Sequence, residues 1–264
     1  MERIYKAKFY DIKHFKMACE ILSKTMENCT FKFSNTDVSI VAISDSLDTL
    51  IKITFDNIEL MCHKPSDSSI IYLGISLKHL MKRLNKIVPG TPYVALTVNK
   101  NNEEYGLYIQ NKLLVKAETV KTELPRMEFN NRVTIETTKL LNIIEHIKPI
   151  ITIECGDNEV FFKGEPKKKI LNYSETPRKI WKYARTPITN YLNGACKSDT
   201  KINSEYKPDT KTSGTYSIAC LSGILDPTLS PSVDLYLKND FPLTIVTNTG
   251  CGKQYLFISQ LQLV

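Results

Sequence analysis

This 264-residue chain lacks most of the features that would announce a chemistry. No apolar run approaches the roughly 20 residues needed to cross a bilayer. The opening Met-Glu-Arg-Ile-Tyr-Lys has no apolar stretch of the secretory kind, so neither a membrane nor a secreted protein is expected. The seven cysteines, at 19, 29, 62, 155, 196, 220 and 251, are odd in number, widely spaced and never in a C-x-x-C pair. That argues against a disulfide framework and a structural zinc site, and it implies a reducing compartment. The four histidines, His14, His63, His79 and His146, form no H-x-x-x-H pair, so no metal and no cofactor is implied. Thr249-Gly-Cys-Gly-Lys-Gln254 fails as a phosphate loop, because Thr247 stands where a glycine is needed and Gln254 where a hydroxyl is needed. It reads as a turn between strands. With no G-x-S-x-G elbow and no readable Cys–His pairing, binding is favoured over catalysis.

What is present is ordinary for a globular protein of one or two domains: 42% apolar and 24% charged residues. Lys and Arg total 35 against 28 acids, a net charge of +7, which favours polyanionic partners.

The chain reads twice through one plan. In the first pass Tyr5–Phe9 is a strand and 11–26 a helix with Asp11 as N-cap. Strands follow at 30–33, 38–43 and 50–55, then a helix at 76–88 stopped by Pro89-Gly90, and strands at 93–98, 105–109 and 113–117. From Arg132 the order recurs: a strand at 133–135, a helix at 137–147, strands at 150–155, 159–163 and 169–173, a short helix at 217–225, and strands at 233–237, 243–246 and 255–258. Two copies of one α+β unit account for this most simply.

The second helix carries an apolar stripe of Leu77, Leu80, Met81, Leu84, Ile87 and Val88, which leaves Lys78, Lys82, Arg83 and Lys86 opposite it. The first turns Lys13, Lys16 and Lys24 outward, with Glu20 and Glu27. The third shows Lys139, Asn142 and His146. A solvated face would give the same pattern on any one helix. Three helices at equivalent points of a repeat share it.

Asn239-Asp-Phe-Pro-Leu-Thr-Ile245, Leu124-Pro125 with Phe129, Val41-Ala-Ile-Ser-Asp-Ser46, Leu141–His146 and Tyr255-Leu-Phe-Ile258 together resemble motifs of the proliferating cell nuclear antigen (PCNA) family, the DNA sliding clamps of eukaryotes, archaea and some large DNA viruses. The resemblance spans nearly the whole chain. It implies the clamp fold, with domains at 1–118 and 132–264, a linker at 119–131, helices on an inner face and antiparallel sheets outside. It also implies a homotrimeric ring around double-stranded DNA that serves as a polymerase processivity factor, acts in replication and repair, and is opened by a clamp loader. The implied setting is the nucleus or a viral replication site, which can be cytoplasmic. No catalytic residue and no membrane are implied.

Carried over position by position, the DNA-facing residues are Lys13, Lys16, Lys24, Lys78, Lys82, Arg83, Lys86, Lys139 and His146. The partner-peptide pocket is Ile43, Leu124, Pro125, Phe129, Pro242, Leu256 and Ile258, and the subunit edges are Leu114 with Lys116 and Ile170 with Asn172. Three departures stand out. Asn142 replaces an expected Arg, and the fourth helix offers Ser222 and Asp226 where clamps carry Lys. Formal charges over 11–29, 76–90, 136–148 and 217–229 are 0, +4, 0 and −1, so attraction to DNA would concentrate on the second helix. The segment 165–211, longer than the family's loop, holds eleven basic residues against five acids and includes Lys167-Lys-Lys169 and Arg178-Lys-Ile-Trp-Lys-Tyr-Ala-Arg185. It reads equally as a contact for nucleic acid or an acidic partner and as a flexible solvated insertion. A checkpoint-type or viral accessory clamp that forms no homotrimer, and a nucleic-acid enzyme with an unrecognised site, are the competing readings.

Overall fold

The computed structural model describes residues 2–56, 58–63, 70–102, 104–121, 129, 131–147, 149–155, 159–164, 181–184, 212–219 and 221–261. It separates into two compact units. One comprises Met1–Pro125 with Thr228–Ser230 and Thr247–Leu256, the other Arg126–Pro227 with Pro231–Val246 and Phe257–Val264.

In the first unit the order is β1 (Glu2–Phe9), α1 (Ile12–Thr25), β2 (Asn28–Phe33), β3 (Val38–Ile43), β4 (Thr49–Phe55), β5 (Ile58–Cys62), β6 (Ile71–Ser76), α2 (Leu77–Leu84), β7 (Val94–Asn101), β8 (Glu104–Ile109) and β9 (Lys112–Leu113). Within it the strands β5, β1, β7, β8 and β9, and β4, β3, β2 and β6, pair antiparallel. One sheet runs β5-β1-β7-β8-β9, and the other carries β4-β3-β2-β6 side by side. β3 is buried on both faces except at Ile43. Phe9, Phe15 and Phe55 meet at ring-centroid distances of 4.3 to 5.4 Å and tie α1 to both sheets.

The second unit contains β10 (Asn131–Glu136), α3 (Thr137–His146), β11 (Ile150–Cys155), β12 (Glu159–Lys163), β13 (Trp181–Ala184), β14 (Thr212–Ser217), α4 (Leu221–Ile224) and β15 (Ser232–Leu237). The chain closes with β16 (Leu243–Thr249) and β17 (Gly252–Ile258), whose hairpin tip belongs to the first unit. Its sheet order β13-β12-β11-β14 repeats β4-β3-β2-β6 strand for strand. The fold is the duplicated α+β plan, mostly antiparallel sheet with few helices.

Several elements differ from the sequence reading. β5 and β6 were not expected, so five strands, not three, separate α1 from α2. α2 stops at Leu84, after which Lys86 N–H and Ile87 N–H bond three residues back and tighten the chain into a turn. The helix expected from 217 begins at Leu221, because Thr212–Ser217 pairs with β11. The strand beside β12 is Trp181–Ala184, inside the basic insertion. The strand expected at 169–173, with Ile170 and Asn172, lies outside the described residues.

Candidate nucleic-acid interface and docking surfaces

The cationic residues of the first unit sit on two adjoining helices. Asp11 caps α1: its Oδ1 accepts from the His14 backbone N–H at 3.1 Å and its Oδ2 lies 2.5 Å from His14 Nδ1. α1 buries Phe15, Ala18, Cys19, Ile21 and Leu22, which leaves Lys13 and Lys24 exposed and Lys16 half-buried. On α2, Leu77, Leu80 and Leu84 face the core, so Lys78, Lys82 and, just past the helix end, Lys86 are exposed. Lys82 and Arg83 also suit the negative end of the α2 dipole. Residues 76–90 contain no acid, so this charge has no local compensation.

His79, on the same helix, has its pKa lowered first by burial and then by Arg83 and Lys82. Its neutral Nδ1 accepts from the Val115 N–H at 3.0 Å, which fastens the chain after β9 to α2.

Unit two contributes less. Lys139 is bonded to Glu136 Oε1 at 2.6 Å, and His146 Nδ1 lies 2.6 Å from the Asn142 carbonyl, to which it donates. α4 has four residues and no cation.

The docking positions divide. Ile43 and Pro242 are half-buried, and Phe129 is half-buried with its ring 5.4 Å from Tyr236. Leu256 and Ile258 are each 1% exposed, and strand alternation turns Tyr255 and Phe257 outward. Leu124 and Pro125 lie outside the described residues. Leu114, expected at a subunit edge, also turns its side chain inward. It is 1% exposed and its neighbours Leu113 and Val115 are 49% and 52% exposed. Lys116 is exposed and ion-paired to Glu104 at 2.7 Å. β9 remains an edge strand of its sheet.

The sequence reading missed two features. Leu47 is 77% exposed at φ 59°, on a tight turn where Ser44 Oγ donates to Asp48 and accepts from the Thr49 N–H. A leucine held in water in the left-handed region is costly to keep and has a binding rationale; Asp45-Ser46-Leu47-Asp48 carried only a turn signal. In the second unit a groove of about 740 Å³ is lined by Ser213–Thr215, Asp240–Pro242 and Ser259–Leu261. It is held by the Leu261 N–H on the Thr215 carbonyl at 2.8 Å and by the Ser213 N–H on Asn239 Oδ1 at 3.0 Å. Among the described residues, Gln260 Oε1 is buried there without a donor. Among the described residues, no group of three or more His, Cys, Asp or Glu converges as a metal set, and no helix is long and apolar enough to cross a membrane.

No protein-family model matches the chain. It is 25% identical over 248 residues to a probable DNA polymerase sliding clamp of Acanthamoeba polyphaga mimivirus, a match covering 85% of this chain and 47% of that protein. The chain therefore spans about half the length of that relative. Its fold matches PCNA of Entamoeba histolytica (TM-score 0.67, 17% identity, 98% of this chain and 100% of the other). It also matches PCNA of Thermococcus kodakaraensis (TM-score 0.65, 16% identity, 97% and 100%). The fold is that of the PCNA clamps, in a divergent sequence.

Proposed function

We propose that this chain is a subunit of a DNA sliding clamp, a non-enzymatic processivity factor that holds a polymerase on duplex DNA. Domains at 1–118 and 132–264 with a linker at 119–131 would let three copies close head to tail into a ring, with β9 and its exposed Leu113 and Val115 offered at one edge. Closed rotational assembly is the usual outcome of such unlike complementary edges. A ring stays on DNA by topology, so its lining needs only mobile attraction to phosphates and no base-reading or catalytic group.

The observation that carries this reading is the uncompensated cationic row of α2 beside α1, set in a clamp fold. Within the second unit, the half-buried Phe129 and the groove at Pro242 support docking of a partner peptide with apolar anchors. Client polymerase, loader and site of replication belong to the same proposal. Native mass measurement tests it: three times the 30.1 kDa chain mass is expected, and a stable monomer at micromolar concentration contradicts it.

A further inference from the structure

A second cavity, of about 350 Å³, opens in the first unit where the end of α2 meets the turn between β8 and β9. Its wall is divided between three cations, Arg83, Lys86 and Lys112, and three aliphatic side chains, Ile87, Val88 and Ile109, and it includes no carboxylate. The chain passes the mouth in two turns that are pinned in place. The Val88 carbonyl accepts from the Thr91 N–H at 3.2 Å and from the Thr91 hydroxyl at 2.6 Å. Gln110 donates from its backbone N–H to the Ala95 carbonyl and from its side-chain amide to the Tyr93 carbonyl, both at 3.1 Å. The cavity is therefore formed before a ligand arrives, which lowers the ordering cost of binding.

Its positive charge is uncompensated. Among the described residues none of the three cations is held in an ion pair. Lys86 and Lys112 are exposed and free to close on a ligand, whereas Arg83 is half-buried. Among the described residues the Arg83 Nε is enclosed without a partner, so the guanidinium meets a ligand through its terminal nitrogens. Two parallel N–H groups at that end suit the two oxygens of a carboxylate. The aliphatic half of the wall selects further. Val88, 71% exposed, stands in water beside the cations, and an apolar group on the ligand would cover it. A phosphate in the same place would turn an oxygen onto Ile87 and Val88, where it loses water and gains no donor.

We propose that this cavity binds a carboxylate that carries an aliphatic group on the adjoining carbon, the chemistry shared by the last residue of a peptide and by small free aliphatic acids. The carboxylate lies on Arg83, Lys86 and Lys112 and the aliphatic group on Ile87, Val88 and Ile109. An Asp or Glu within a chain fits less well, because its backbone amides would meet the aliphatic wall. The volume is near the lower limit for small-ligand sites, about 300 Å³, and suits one terminal residue better than a longer segment. The site is complete within the first unit and independent of the clamp reading, so its failure leaves that reading standing.

Calorimetric titration of the full chain with acetyl-Ala-Ala-Leu, its carboxylate free, tests the proposal at neutral pH and low salt. Saturable binding is expected. It should be at least about tenfold weaker for the same peptide with an amidated terminus or with Gly in place of Leu, and in Arg83→Gln and Lys112→Gln. Lys100→Gln, which removes a lysine held over Tyr105, leaves it unchanged. The two peptide changes are made against the unaltered protein, so affinity lost there is not lost folding. Acetyl-leucine separates the two sources: binding weaker than the tripeptide's assigns the site to peptide termini, and equal binding assigns it to small free acids. Absence of saturable binding overturns the proposal, as does equal affinity for the amidated or Gly-ended peptide or in both cavity variants. Inorganic phosphate bound as tightly as the peptide overturns it too, since the aliphatic wall would then select nothing.

Discussion

On the proposed clamp reading, Lys82 and Lys86 are the residues on which DNA attraction would depend most. Their replacement by Glu should weaken DNA association at least about tenfold and reduce the slope of log affinity against log salt by about 2, since each lost phosphate contact removes about 0.9 from it. An unchanged slope in a salt titration would remove these residues from the lining. Arg132 and Asp234 matter for stability. Their side chains are 7% and 13% exposed, joined at 2.7 Å, and the Thr134 hydroxyl donates to the same carboxylate. Asp234→Ala removes the carboxylate paired with a buried guanidinium and should cost about 3 kcal/mol, read by denaturant unfolding; a loss below about 1 kcal/mol would place the pair with weak surface bridges. Individual residues were the least legible level in the sequence. Leu114, Leu256 and Ile258 lie on the buried side of the chain, which their sequence does not reveal because short apolar runs give no parity signal and a one-residue slip inverts a strand's faces. The lysines of α1 and α2 were readable because a 3.6 period over three turns fixes a face.

Elements were legible where their local chemistry is complete. Asp11 caps α1 as its sequence position implies, and β3, β11 and β12 end where their apolar runs end. β5 was missed because Ile58-Glu-Leu-Met-Cys62 alternates poorly, and β6 because its apolar run merges into the helix stripe beyond Ser76. β13 was hidden by its setting, four residues within a polar basic insertion, and its pairing with β12 is a tertiary choice.

Two predictions belong at this scale. Gly252 has φ 148°, and a Cβ there would stand 1.9 Å from the Thr54 carbonyl oxygen, so Gly252→Ala should destabilise the β16–β17 hairpin against β4 by about 2 kcal/mol or more. A melting temperature equal to the parent's would show that the hairpin does not approach β4 this closely. The His79 link should respond to acid. A depressed folded-state pKa means that its contribution is present above the unfolded value near 6.5 and is lost as pH falls through the lower folded value. Protonation also removes the acceptor for Val115. The amide protection factor of Val115 should therefore drop between pH 7 and pH 5, and His79→Phe should abolish that dependence; a pH-independent protection factor would break the link between α2 and the edge segment.

At the scale of the molecule, duplication was the strongest sequence signal. It survives in the matching orders β4-β3-β2-β6 and β13-β12-β11-β14, because strand order depends on many weak patterns that err independently. Charge distribution was equally readable: the arithmetic that placed +4 on residues 76–90 and −1 on 217–229 agrees with Lys139 bonded to Glu136 and an α4 without cations. On the proposed reading, a lining so uneven would give weak static affinity, as expected of a protein held on DNA by closure and not by contact. Retention on DNA of differing topology tests that claim most directly. Assembled protein should co-elute with a nicked circular duplex at salt that prevents simple binding, and be released when a single restriction cut makes the circle linear. Equal retention on circular and linear DNA, or release from both, would contradict it.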